Sequence, residues 1–276
     1  MSKKEKRIAV LNLKGGTGKT TTATSIAYIL AKEWKERVLL IDCDMQGNAS
    51  KTFDRYDPDK RGTHTVMLEQ APLEFCITST NYGREFGNME GRIDICPANM
   101  YLMEANVDVL RDTENEQLHR LNNAIDKLLE NERKYNLATY DTIIMDCALG
   151  LDMTVLNAII ASDTVIAPVP FGGYEVDGLE QLKEQMDDLE AIKPGIKLKA
   201  LFTMRQGNKA NLEFDEWLHT ESGFDCYKTA IRRTVTVPKA AVEKMPVPAY
   251  SKNGAATKDY DALVTEIMED YMEGRN

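Results

Sequence analysis

No stretch of this 276-residue chain approaches the roughly 18 uninterrupted apolar residues that a membrane span requires. Its opening, Met1-Ser2-Lys3-Lys4-Glu5-Lys6-Arg7, is charged and has no apolar signal-peptide core behind it, so a cytoplasmic location is expected. Cysteine is sparse: the five residues Cys43, Cys76, Cys96, Cys147 and Cys226 are odd in number, scattered and free of any C-x-x-C pair. That spacing argues against a disulfide framework and against zinc, dithiol redox or iron–sulfur sites, leaving reduced, mostly buried thiols as the expectation. Internal repeats, low-complexity tracts and Pro/Ser-rich linkers are absent as well, so a single domain over 1–276 is expected. Positive charge is also short: 34 Lys and Arg against 44 Asp and Glu give a net charge of −10, which over the whole chain argues against a nucleic-acid binder.

What remains is an ordinary globular composition, 43% hydrophobic and 28% charged, arranged as short β-branched runs alternating with helical segments. This alternation predicts an α/β fold, doubly wound, with a mainly parallel sheet and helices on both faces. Strands are expected at Arg7–Leu13, Arg37–Ile41, Arg92–Cys96, Thr142–Met145, Thr164–Val169, Lys197–Thr203 and Tyr227–Ile231. Helices are expected at Lys19–Lys35, Glu116–Arg133, Met153–Ala161, Glu175–Ile192 and Lys209–Glu221. Leu118, Leu121, Ile125 and Leu128 recur at three- and four-residue steps, a core-facing stripe. Residues 51–91 are punctuated by Asp57-Pro58-Asp59, Arg61-Gly62 and Asn81-Tyr82-Gly83, and read as an irregular insertion.

The strongest motif is Lys14-Gly15-Gly16-Thr17-Gly18-Lys19-Thr20-Thr21, placed after the first strand and opening the first helix. Glycines let successive backbone N–H groups turn inward onto phosphate oxygens, and the helix adds its positive N-terminal end. Lys19 is placed to reach the β- and γ-phosphates of a bound nucleotide, and the Thr20 hydroxyl to ligate Mg²⁺. The strict pattern G-x-x-x-x-G-K-[ST] puts a glycine at position 13, where this chain has leucine and then a second lysine. The arrangement resembles the deviant Walker A motif of the ParA/MinD superfamily of P-loop NTPases, which also includes the nitrogenase iron protein. In that family the early lysine reaches the phosphates of the partner's ATP, so the resemblance implies that Lys14 acts across a nucleotide-sandwich homodimer.

Two acidic elements complete the pattern. Val38-Leu39-Leu40-Ile41 runs into Asp42-Cys43-Asp44-Met45-Gln46-Gly47-Asn48, and in an open parallel sheet the carboxyl ends of strands form the ligand crevice. This stretch resembles the family's D-x-D-P-Q-G-N element, which implies that Asp44 positions the attacking water and that Asp42 lies near the Mg²⁺ shell; Met45 replaces the usual proline. Asp146, ending Thr142-Ile143-Ile144-Met145, looks like the Walker B aspartate, holding Mg²⁺ directly or through water. The following Cys147-Ala148-Leu149-Gly150-Leu151-Asp152 departs from the family's alanine, two prolines, serine, leucine and glycine, and the signalling of nucleotide state through this loop is expected to differ.

Within the superfamily, small ParA partitioning proteins fit over most of the chain, through Pro97-Ala98-Asn99, Leu156-Asn157-Ala158, Val165–Pro170, Gly178-Leu179 and Leu201–Met204. The last helix has a core stripe of Tyr260, Leu263, Val264, Ile267, Met268 and Tyr271 and an acidic outer face, which an anionic membrane would repel. No membrane attachment is therefore expected. So little chain precedes the first strand that the operator-binding domain of long ParA proteins is not expected either. The resemblance implies ATP and Mg²⁺ as cofactors, slow ATPase activity stimulated by a ParB-like partner, and non-specific DNA binding by the ATP dimer, which would be nucleoid-associated. From Lys193 to Lys258 twelve basic residues stand against six acidic ones, net +6, leaving −16 elsewhere. Lys228, Arg233, Lys239 and Lys252 are the candidates for DNA contact, although Thr236 replaces an arginine that the family associates with DNA and Lys239 replaces an acid. Met204 and Arg232 are placed near adenine by the resemblance. Two other readings stay open: the same ATP dimer positions a protein cargo or regulates conjugation without touching DNA, or the chain is a metabolic P-loop enzyme.

Overall fold

The computed structural model describes residues 5–80 and 89–273; the first four residues and the turn expected at Asn81-Tyr82-Gly83 lie outside them. In chain order the elements are β1 (Lys6–Val10), α1 (Lys19–Lys32), β2 (Arg37–Cys43), α2 (Asn48–Thr52), α3 (Thr63–Met67), a 3-10 turn (Leu73–Phe75), β3 (Thr78–Ser79), β4 (Arg92–Cys96), α4 (Tyr101–Arg111) and α5 (Arg120–Lys134). There follow β5 (Thr142–Cys147), α6 (Met153–Ala161), β6 (Thr164–Pro170), α7 (Gly173–Leu189), β7 (Lys197–Thr203), α8 (Lys209–Thr220), β8 (Asp225–Cys226), α9 (Thr236–Val242), α10 (Val247–Tyr250) and α11 (Ala255–Glu273). The strands form one sheet in the order β3-β4-β2-β5-β1-β6-β7-β8, parallel except where β3 pairs antiparallel with β4. This is the doubly wound α/β fold expected from the alternation.

The sheet is buried on both faces, which is why its strands read as near-continuous apolar runs. Ala9, Leu39, Ile41, Ile143 and Met145 point into one core with residues of α3 to α7. Ile8, Val10, Leu40, Ile144 and Ile166 point into the other with α1 and α11. Strand β1 lies between β5 and β6, so its successor loop opens at the middle of the carboxyl edge, where strand order reverses and ligands bind. No helix among the described residues is long and apolar enough to cross a membrane. Four cysteines are buried, Cys226 is half-buried, and all five are free thiols.

The expected strand at Tyr227–Ile231 does not form; β8 is Asp225–Cys226. Tyr227 and Ile231 still donate to the carbonyls of Ala200 and Phe202 at 3.0 and 2.8 Å. Between them, the Lys228 and Thr229 N–H groups turn to the Glu266 carboxylate of α11 at 2.7 and 3.1 Å, so a side chain takes the donors that a ladder would use. Nor is the stretch 51–91 uniformly irregular. It contains α3, whose Val66 and Met67 are buried, and the short β3. Helix α5 starts at Arg120, which leaves Leu118 outside it and partly buried, while Leu121, Ile125 and Leu128 form the buried stripe. Helix α4 was not anticipated: Leu102, Ala105 and Val109 are buried but Met103, Val107 and Leu110 are exposed, so apolar residues on both faces blur its period.

Candidate functional site

The loop after β1 is held at its base, its far side and its centre. Leu11 keeps one sheet bond, its N–H donating to the Ile166 carbonyl at 3.0 Å, before the chain leaves the sheet. Asn12 closes the base: its amide donates to the Pro168 carbonyl and its oxygen accepts the Lys14 N–H, both at 2.9 Å. Gly16 and Gly18 take φ of +72° and +98°, a region that side chains with a Cβ avoid, and turn the loop into the start of α1. From β7 the Thr203 hydroxyl donates to the Thr17 carbonyl at 3.0 Å. The Lys19 ammonium curls back onto the Lys14 carbonyl at 3.1 Å. Burial lowers its pKa, with the Asp146 and Asp44 carboxylates opposing the shift.

Strand register brings the acids to this loop. Asp146 at the end of β5 lies opposite Val10 of β1 on one side and Asp42 of β2 on the other. Sharing parity with Leu40 and Ile144, both carboxylates fall on the α1 face, beneath Lys19 and Thr20. Their circumstances differ. Asp42 accepts the Ser50 N–H at 2.8 Å, the Ser50 hydroxyl at 2.6 Å and the Asp44 N–H at 3.1 Å. Burial still pushes it up to about 6, against those hydrogen bonds. Asp146 is fully buried and neither carboxylate oxygen has a hydrogen-bond partner among the described residues. Burial first, then the Asp42 charge, drive its pKa well above the usual carboxylate range, with Thr20 and Lys19 opposing. The Thr17 hydroxyl, inside the loop, is likewise buried and unpartnered. Asp44 is half-buried at the head of a turn, with one oxygen on the Gln46 N–H at 2.9 Å.

Beside the loop a cavity of ≈ 390 Å³ is bordered by Gly16, Gly18 and Thr21 on one side and by Met204, Arg232, Arg233, Val237 and Tyr260 on the other. The two residues expected near adenine therefore line the same space as the phosphate loop. Met204 sits at φ +55°, a conformation uncommon for non-glycine residues. The Arg232 guanidinium is committed to Asp259 of α11, at 2.6 Å from Nη2, so it shapes the wall more than it offers free donors. Arg233, expected on DNA, borders this cavity, whereas Lys228, Lys239 and Lys252 do not. All four are exposed and ion-paired to no carboxylate among the described residues.

Sequence reasoning assigned no role to Asn12, Ser50, Thr203 or Asn106, polar side chains whose roles depend on partners far along the chain. Asn106 of α4 donates to Asp152 Oδ2 at 3.0 Å and accepts the Thr154 N–H at 2.8 Å, while Asp152 caps α6 through the Val155 N–H at 2.9 Å. The loop after Asp146 is thereby fastened to α4 at its far end, and Leu149 within it is exposed.

A phosphate-accepting loop at the switch point of a parallel sheet, with two buried carboxylates beneath it, defines a P-loop nucleotide-binding protein. The chain matches the AAA domain family over residues 5–198. It is 30% identical over 269 residues to a ParA family protein of Chlamydia pneumoniae, covering 95% of this chain and 97% of that protein. It is 28% identical over 266 residues to the sporulation initiation inhibitor protein Soj of Bacillus subtilis, covering 95% and 98%. Its fold matches the crystal structure of cobyrinic acid a,c-diamide synthase from Mycobacterium smegmatis with bound ATP analog and magnesium, with a TM-score of 0.79 at 25% identity and coverage of 98% and 97%. The chain belongs to the ParA family of AAA-domain P-loop ATPases.

Proposed function

We propose that this protein is an ATP-driven switch of the partitioning type: ATP with Mg²⁺ joins two copies, the dimer binds DNA without sequence preference, and a ParB-like partner stimulates hydrolysis to release it. The observation that carries the reading is the unpartnered Asp146 carboxylate beneath Lys19 and Thr20, together with the unpartnered Thr17 hydroxyl inside the loop. A native fold leaves such buried groups bare where a ligand completes them. Thr20 and Asp146 would hold the Mg²⁺, with Asp42 behind them, and the bound ion would neutralise phosphate charge. Lys19, parked on its own loop, is free to exchange the Lys14 carbonyl for phosphate oxygens. Asp44, at the mouth of the crevice, is the residue suited to orient water, and Lys14 the one suited to reach a partner's nucleotide. Unstimulated turnover is expected on the order of 10⁻⁴ to 10⁻² per second. Turnover above about 1 per second by the protein alone would overturn the switch.

The test is binding to a non-specific duplex at low and moderate salt, with ATP and Mg²⁺, with ADP, and with Lys14→Ala in ATP. Binding confined to ATP, abolished in Lys14→Ala and steeply salt-dependent supports the DNA switch. An ATP-dependent dimer that ignores DNA supports the second reading, a positioner of protein cargo or a regulator of conjugation. One observation favours that alternative: Lys199, Arg205, Lys209 and Arg232 are ion-paired with Asp270, Asp215, Glu213 and Asp259, which depletes the basic segment.

A further inference from the structure

Helix α7 has a glycine in its interior, Gly178, between the exposed Asp177 and the fully buried Leu179. An interior glycine weakens a helix relative to alanine, so its presence calls for a local reason. The reason is spatial. A Cβ at position 178 would stand 2.9 Å from Lys14 Cγ, 3.2 Å from Lys14 Cε and 3.4 Å from Asn12 Oδ1. The stem of Lys14 therefore lies across the bare backbone of α7, in a space that even a methyl group would fill.

The rest of Lys14 is fixed by other means. Its N–H is held by Asn12 and its carbonyl receives the Lys19 ammonium. Its own ammonium, by contrast, is paired with no carboxylate among the described residues. A lysine side chain is among the most costly to order, and a cation with a fixed backbone and a seated stem has surrendered much of that freedom in advance. We propose that Gly178 is a positioning residue for Lys14: it leaves the seat on α7 that aims the Lys14 ammonium out of its own subunit toward the nucleotide of a second copy. This rests on the reading of Lys14 given above, and adds α7 to the elements that prepare the dimer.

The experiment is a double-mutant cycle on the full chain, with ATP and Mg²⁺, read as the dimer dissociation constant by sedimentation and as nucleotide affinity of the monomer by fluorescent-ATP titration. Gly178→Ala is expected to weaken the dimer about tenfold while changing monomer nucleotide affinity less than about twofold. In the Lys14→Ala background the same substitution is expected to have no further effect, because the colliding stem is gone. Alanine is the better helix former, so thermal unfolding of Gly178→Ala is expected at or above the wild-type temperature, which separates the effect from damage to the fold. An equal loss in both backgrounds would show that position 178 acts without Lys14 and overturn the proposal. An unchanged or tighter Gly178→Ala dimer would overturn it as well. Lys14→Ala that dimerises like wild type would instead remove the reading of Lys14 and the seat with it.

Discussion

Replacing Asp146 by Asn removes a buried charge that Thr20 and Lys19 offset only in part, so the unliganded fold gains what the metal site loses. Asp42 and Asp146 both have folded pKa values raised above 3.8, Asp42 to about 6 and Asp146 well above the usual carboxylate range. A carboxylate raised in this way binds more protons folded than unfolded. Its stabilising effect is full below about pH 4 and is lost as pH climbs through about 6 for Asp42 and through the raised value of Asp146. In Mg²⁺-free buffer at pH 7.5, Asp146→Asn is expected to be more stable than wild type by roughly 1–3 kcal/mol in urea unfolding. The difference should shrink as pH falls and the native carboxyl takes up its proton. A variant less stable than wild type at pH 7.5 would mean that Asp146 has an internal partner. Lys19 tests the other half of the site. Its bond to the Lys14 carbonyl is a single exchangeable contact, so Lys19→Ala is expected to keep the fold and lower ATP affinity by about 100-fold or more, roughly 2.7 kcal/mol, in a titration.

At the scale of elements, α11 both fills a core and holds the far wall of the cavity. Tyr260, Leu263, Val264 and Ile267 are buried in it, and Tyr260 shares a 3.2 Å hydrogen bond with Thr22 of α1. Its outer carboxylates are structural rather than merely solvated: Asp259 takes the Arg232 N–H and guanidinium, and Glu266 takes two backbone donors after β8. Asp259→Ala is expected to cost about 1–2 kcal/mol in thermal or urea unfolding and to weaken ATP binding a few-fold through the loosened wall at Arg232 and Arg233. Unaltered ATP affinity would detach that wall from the nucleotide. The core stripe of α11 was legible because it repeats at helical spacing within one element. The same holds for Lys14 to Thr21, whose glycines, lysines and threonines all act within one turn of chain. Asp42 and Asp146 were legible because each ends an apolar strand. Glu266 was not, because its two donors lie 37 and 38 residues away, and no local pattern distinguishes it from any acid on a wet helix face. Gly178 and Thr203 stood out in the sequence only as family landmarks, and their roles were hidden for the same reason: each meets the loop after β1 only when the sheet has assembled.

For the whole molecule the question is whether enough positive charge survives folding to hold DNA against a net charge of −10. Pairing withdraws Lys199, Arg205, Lys209 and Arg232, and Lys199 is also buried, stacked 4.4 Å over the Tyr227 ring. Arg232 is tied to Asp259 and the Lys228 backbone to Glu266, so Lys228 stands about two helical turns, roughly 10 Å, farther along α11. Lys228, Lys239 and Lys252 remain exposed and are ion-paired to no carboxylate among the described residues, but a single cation–phosphate contact is weak alone. Pairing two copies doubles the contacts, and at about 0.9 logarithmic units of salt slope per phosphate, losing one residue from both copies should lower the slope by nearly 2. Alanine at Lys228, Lys239 or Lys252 is therefore expected to reduce the slope of DNA affinity against salt by about that amount each, with ATP-dependent dimerisation intact. Lys197, at the opposite, amino end of β7, serves as the control, and Lys197→Ala should leave the slope unchanged. Equal losses at Lys197 and at the three lysines would point to diffuse attraction with no face, and a slope near zero for wild type would shift the assignment to a protein cargo.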